Sequence, residues 1–128
     1  MKTFALRLRP KQELKRELVK FTKEKQISAG IVLTCVGSLK KAVLRLADES
    51  VKEYNDKFEI VSLVGTLSQD GVHLHISISD SQGKTIGGHL KEGIIYTTAE
   101  IIIGEIDGIK FSREQDEETG FRELAISK

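Results

Sequence analysis

Cysteine, proline and methionine occur once each in the 128 residues of this chain, and tryptophan not at all. The lone Cys35 excludes an internal disulfide, which suits a reducing compartment rather than a secreted scaffold. It stands in the apolar run Ile31-Val32-Leu33-Thr34-Cys35-Val36 with no base supplied to it, so it reads as a buried, inert thiol. No stretch approaches the roughly 20 apolar residues that cross a bilayer. Met1–Phe4 runs straight into an alternating pattern, without the apolar segment and cleavage site of a signal peptide. The expectation is a cytoplasmic protein with no membrane partner. A glycine-rich phosphate loop and a nucleophile-base-acid set are missing as well, so no substrate can be named.

A chain of this length makes one domain, residues 1–128, with enough material for a real core. Its net charge of +1 conceals an asymmetry: residues 1–45 carry twelve Lys/Arg against three Glu, and residues 46–128 carry eight against sixteen acids, giving +9 and −8. That split allows a basic surface for a polyanion. It also allows a basic patch that meets the acidic patch of a neighbouring subunit, or two signs that interleave once the chain folds.

What the chain does have is a run that holds all of its histidines, Gly71–Leu90, GVHLHISISDSQGKTIGGHL. From Val72 to Ser79 apolar and polar residues alternate, the mark of a strand with one face on a core. Val72, Leu74, Ile76 and Ile78 then point one way, and His73, His75, Ser77 and Ser79 the other. Asp80-Ser81-Gln82-Gly83 is a turn, and Lys84–Leu90 returns as the antiparallel partner. A three- or five-residue loop sets residue 73 or 75 opposite residue 89, and His89 then joins the other two on one face. Three imidazoles match the ligand set of an open site for zinc or another divalent transition metal, with the fourth position free. The competing reading is an ordinary polar sheet face or a subunit contact. Gly87-Gly88 leaves room for close approach to the backbone.

The remaining segments read in order as follows. Thr3–Arg9 alternates as a strand with Phe4, Leu6 and Leu8 inward, and Pro10 suits the first turn of a helix. Leu14, Leu18 and Phe21 recur at helical spacing. The rest of that helix is rich in Lys and Arg, and Lys11, Lys15, Arg16 and Lys20 are the candidate nucleic-acid contacts, although no aromatic residues interleave for stacking. Ile31–Val36 reads as a strand buried on both faces that Gly37-Ser38 breaks. Lys41–Ala47 is a further strand, and Asp48–Lys57 a surface loop. Phe58–Leu67 turns at Gln69–Gly71 into the histidine strand. Lys91–Gly93 is another turn, after which Ile94–Ile106 is a long strand, apolar on both faces. Glu100 inside it must be paired, bind a metal or sit where the strand surfaces: paired with Arg7 or Arg9 it is structural, and facing the histidines it is a fourth ligand or a base. Gly108–Arg113 and Glu123–Ile126 are short strands around an acidic loop. Eight or so strands and one main helix make an α+β domain with a mainly antiparallel sheet.

The order of these segments resembles the PPC family, the plant and prokaryote conserved domain joined in plants to AT-hook nuclear proteins. The resemblance rests on SAGIVLTCVGSL at Ser28–Leu39, KFEIVSLVGTL at Lys57–Leu67, GVHLHISISD at Gly71–Asp80, GGHL at Gly87–Leu90, TTAEIIIGE at Thr97–Glu105 and REQDEETGF at Arg113–Phe121. It implies a homotrimer and a DNA-binding label. It also implies that His73, His75 and His89 cluster near a subunit boundary, where some relatives look able to hold a metal. The chain lacks an Arg-Gly-Arg-Pro hook, and in place of the plant Gly-Arg-Phe-Glu-Ile-Leu segment it has Asp56–Val61, DKFEIV. Three functions therefore stand open: a homotrimeric DNA-binding or regulatory module; a metal- or small-ligand-binding protein, with or without catalysis, built on the histidines with Glu100, Arg7 or Arg9 as helpers; and a trimeric interaction scaffold whose subunit contact is formed largely by the apolar Ile94–Ile106 strand.

Overall fold

A computed structural model describes residues 1–128 as seven strands and one helix: β1 (Lys2–Leu8), α1 (Leu14–Glu24), β2 (Gly30–Arg45), β3 (Val51–Ser68), β4 (Gly71–Ser79), β5 (Thr85–Glu105), β6 (Lys110–Gln115) and β7 (Arg122–Ser127). β1 to β5 form one antiparallel sheet in the order β1-β5-β2-β3-β4, and β4 also pairs with β5. That extra pairing closes β2, β3, β4 and β5 into a ring, with the first residues of β5 on β4 and the rest on β2. The α+β, mainly antiparallel expectation stands.

The core is what the alternation demands. Leu74, Ile76 and Ile78 of β4 point inward with Leu63, Leu67, Ile95, Ile101 and Ile103, and α1 closes one side with Leu14 and Leu18. The helix starts later than Pro10. Glu13 caps it, its carboxylate accepting from the Lys15 and Arg16 amides at 2.9 and 2.8 Å, so residues 10–12 form the lead-in. At the other end Lys25 is the C-cap and Gln26 takes a positive φ of 54°, which ends the helix before Ser28.

Two expected breaks do not interrupt their strands, and one expected loop is shorter than its sequence suggests. β2 continues through Gly37-Ser38 because Gly37 lies so tightly against the Thr98 carbonyl oxygen that no Cβ would fit, and the register shifts there instead. β5 passes Lys91–Gly93 with a bulge, Leu44 facing Leu90 and Val43 facing Glu92. The expected loop Asp48–Lys57 shrinks to a turn closed by the Leu46 amide on the Ser50 carbonyl (2.8 Å), and β3 begins at Val51. Val51, Lys52 and Glu53 are all exposed, so this stretch has no apolar alternation to betray it. Nor is β2 buried on both faces: Leu33 and Val36 are 46% and 55% exposed.

Candidate metal centre

The site is a product of register. Ser79 pairs with Thr85, leaving a five-residue loop in which the Asp80 carboxylate accepts from the Gln82 and Lys84 amides, both at 2.9 Å. That length sets His75 opposite His89. One row then crosses the ring: Val64 on β3, His75 on β4, His89 on β5 and Arg45 on β2, each the cross-strand neighbour of the next. His73, two residues before His75, lies beside Thr66 on the same face.

The three rings converge. Their centroids are 5.0, 5.1 and 5.6 Å apart, and one nitrogen from each can be chosen so that all lie within 4.8 Å of one another. The Nε2 atoms of His73 and His75 are 3.2 Å apart. Two nitrogens bound tetrahedrally to zinc at about 2.0–2.1 Å stand roughly 3.3 Å apart, so this pair already has the spacing of one edge of the coordination shell. The buried Nδ1 of His89 has no hydrogen-bond partner, an orphan that an incoming cation would satisfy at that nitrogen. The donor set fits zinc or a similar divalent transition metal.

Burial and nearby cations favour the neutral form of His73 and His89, the form in which imidazole binds metals. Burial, then the charges of Arg45, His73 and Lys15, push the His89 pKa down to about 4. Burial and Arg113 push His73 below the usual histidine value as well. No carboxylate is in the converging group, so three imidazoles would leave the fourth coordination position open. Beside them opens a cavity of about 720 Å³, lined also by Gly87 and Gly88, by Arg45 and the turn that follows β2, and by the tip of the β6–β7 hairpin. A Cβ on Gly88 would meet the Arg45 carbonyl oxygen at 2.9 Å, and one on Gly87 the Ile76 carbonyl oxygen at 2.7 Å.

The other residues singled out from the sequence lie elsewhere. Glu100 is exposed on β5, in register with Arg7 and Val36, and its carboxylate is not in the converging group. Arg7 donates to the Thr98 hydroxyl at 3.1 Å, and Arg9 lies exposed in the lead-in to α1, where its amide donates to Gln12 Oε1. As helpers of the histidines, Glu100, Arg7 and Arg9 are therefore corrected: strand direction carries β1 and the second half of β5 away from the β4–β5 pairing. Lys11, Arg16 and Lys20 share one concavity with Glu13, Glu17 and Glu92, so the basic face of α1 is of mixed sign. Lys15 is half-buried and turned toward Lys91 and Arg45, and burial with those two charges lowers its pKa. Cys35 is buried and its pKa raised to about 11, an inert thiol as expected. Arg45 was not singled out in the sequence, because only the register of three strands places it beside His89.

With this geometry in hand, likeness to known proteins becomes informative. Residues 1–107 match the model of the Plants and Prokaryotes Conserved (PCC) domain, and the chain belongs to that family. A Synechococcus protein named bifunctional protein GlmU is 47% identical over 131 residues, but the chain spans only 21% of that protein's length. A hypothetical protein from Salmonella enterica has the same fold, with a TM-score of 0.94 and 39% identity over 98% of this chain and 93% of that one. A metal-containing protein from Archaeoglobus fulgidus matches with a TM-score of 0.87 and 28% identity, over 98% and 94% of the two chains. No helix is long and apolar enough to cross a membrane.

Proposed function

We propose that this protein binds a divalent transition metal, zinc in the first instance, through His73, His75 and His89. The observation that carries the reading is the convergence of three imidazole donors within 4.8 Å on one face of the β4–β5 pair. A similar protein described as metal-containing adds support. A cation held by three histidines with an open position supplies a Lewis acid and can lower the pKa of bound water. Gly87 and Gly88 line the cavity beside the histidines. Metal analysis of protein purified without a histidine tag tests this: near-stoichiometric metal in the wild type and loss in His75→Ala are expected. Absence of stoichiometric metal, or equal occupancy in the variant, contradicts it.

The homotrimer belongs to the same proposal. Leu33 and Val36 on β2, Val61 and Val64 on β3, and Tyr96 on β5 are apolar and exposed, and Val64 adjoins His75. Closed symmetric assembly would cover this surface and bring the metal centre to the edge of a subunit contact. Light scattering should give the mass of three chains, and a stable monomer contradicts it.

The DNA-binding role implied by the family resemblance draws on Lys11, Lys15, Arg16 and Lys20 and has less behind it, because Glu13, Glu17 and Glu92 share that surface. Phosphate contacts would make affinity fall steeply with salt. An anisotropy titration against duplex DNA at low salt decides it, and we expect no saturable binding.

A further inference from the structure

The cavity beside the histidines has a chemical bias that the metal alone does not explain. Lys41 and Arg45, near the end of β2, are treated differently. Lys41 is held by Glu53 at 3.6 Å and Glu92 at 3.5 Å. Arg45, in the row with His89 and His75, has no carboxylate within ion-pair reach, and its guanidinium donates no hydrogen bond within the chain. Instead it lies over the Phe121 ring at 5.2 Å from the centroid, which holds the flat guanidinium in place without using its donors. Phe121 comes from the β6–β7 hairpin, outside the residues 1–107 that define the family match.

The rest of the cavity agrees. Leu46, Ala47 and the Phe121 ring make apolar wall, and Thr119 adds a hydroxyl. Glu49, exposed on the turn after β2, is the one carboxylate in the lining, and it forms no ion pair with Arg45. Lys15 and Arg113 add positive charge near the rings, and Glu123 near His73 offsets it in part.

We propose that this cavity binds a small organic carboxylate, with its anionic group between the open metal position and the Arg45 guanidinium, and its apolar body against Leu46, Ala47 and Phe121. The inference rests on the metal reading above. A carboxylate suits both ends: its oxygens are ligands for a divalent cation, and a planar guanidinium takes a carboxylate in a two-point clamp. A neutral ligand of the same shape would leave the Arg45 donors facing nothing.

The test uses the full chain loaded with Co²⁺, whose visible absorption reports its ligand field. Butyrate is the probe and butyramide its neutral counterpart. Butyrate should shift the cobalt spectrum saturably and butyramide should not. Arg45→Met should weaken butyrate by about tenfold or more, while its cobalt spectrum before butyrate matches the wild type and so shows the site intact. A normal cobalt spectrum that butyrate leaves unchanged, or that butyramide shifts equally, or a variant that binds butyrate like the wild type, overturns the carboxylate assignment and leaves the metal centre standing. Failure of Co²⁺ to give a bound spectrum at all overturns both.

Discussion

The histidine row and the basic face of α1 are the two places where sequence composition hints at a ligand, and folding treats them in opposite ways. Along α1 the cations stay spread out and acids are set among them, with Glu13 and Glu17 in the same concavity as Lys11, Arg16 and Lys20. At the β4–β5 pair, side chains from two strands are drawn to within 4.8 Å with no acid among the converging donors. A solvated charged helix needs no partner, since exposed charges interact weakly with one another and are screened by salt. Converging donors with a buried nitrogen left unpaired do need one. Convergence of donors, more than net charge, is what the proposed metal centre rests on.

The strongest way to break this contrast is to remove a ligand. His75→Ala or His89→Ala should cut zinc affinity by more than about a hundredfold in a chelator competition, and near-wild-type affinity would place the metal elsewhere. Next comes Gly88→Ala, whose Cβ would press on the Arg45 carbonyl oxygen at 2.9 Å. It should cost about 1–3 kcal/mol in denaturant unfolding and weaken zinc retention, because β2 and β5 must separate to admit it. An unchanged midpoint with full metal content would show that the approach is looser than the geometry implies.

Acid sharpens the comparison further. The unfolded chain protonates its histidines near the ordinary value of 6.5, whereas folded His89 stays neutral down to about 4. The unfolded state therefore binds more protons in that window, and metal-free protein should lose stability as pH falls from about 6.5 toward 4. The part due to His89 should vanish in His89→Gln, as thermal unfolding of metal-free samples would show; an identical pH profile for both proteins would contradict the assignment. The smallest effect is expected on α1. Replacing Lys11, Arg16 and Lys20 together by Ala should leave zinc affinity unchanged, and a marked loss would mean that the two regions are coupled.

The parts of this arrangement that were legible in the sequence are those encoded locally. Alternation in Val72–Ser79 placed His73 and His75 on one face, and a loop of three or five residues was enough to add His89. The helix was legible from Leu14, Leu18 and Phe21, but its start was not, since Pro10 signals an N-terminus and the capping carboxylate of Glu13 comes three residues later. Strand continuity through Gly37 and Lys91–Gly93 was hidden, because a bulge and a turn draw on the same residue types. The exposed start of β3 carries no apolar period at all. For Glu100 the sequence left three possibilities, a partner, a metal or a place where the strand surfaces; the structure takes the last, and only the pairing of β5 with β1 and β2 decides it. Arg45 and Phe121 became visible only when four strands and a distant hairpin were assembled.

The most direct measurement is diffraction at the zinc absorption edge from crystals of untagged protein. A single anomalous peak at about 2.0–2.1 Å from one ring nitrogen each of His73, His75 and His89 is the predicted result. Rings hydrogen-bonded separately, with no anomalous density between them in protein supplied with zinc, would contradict it.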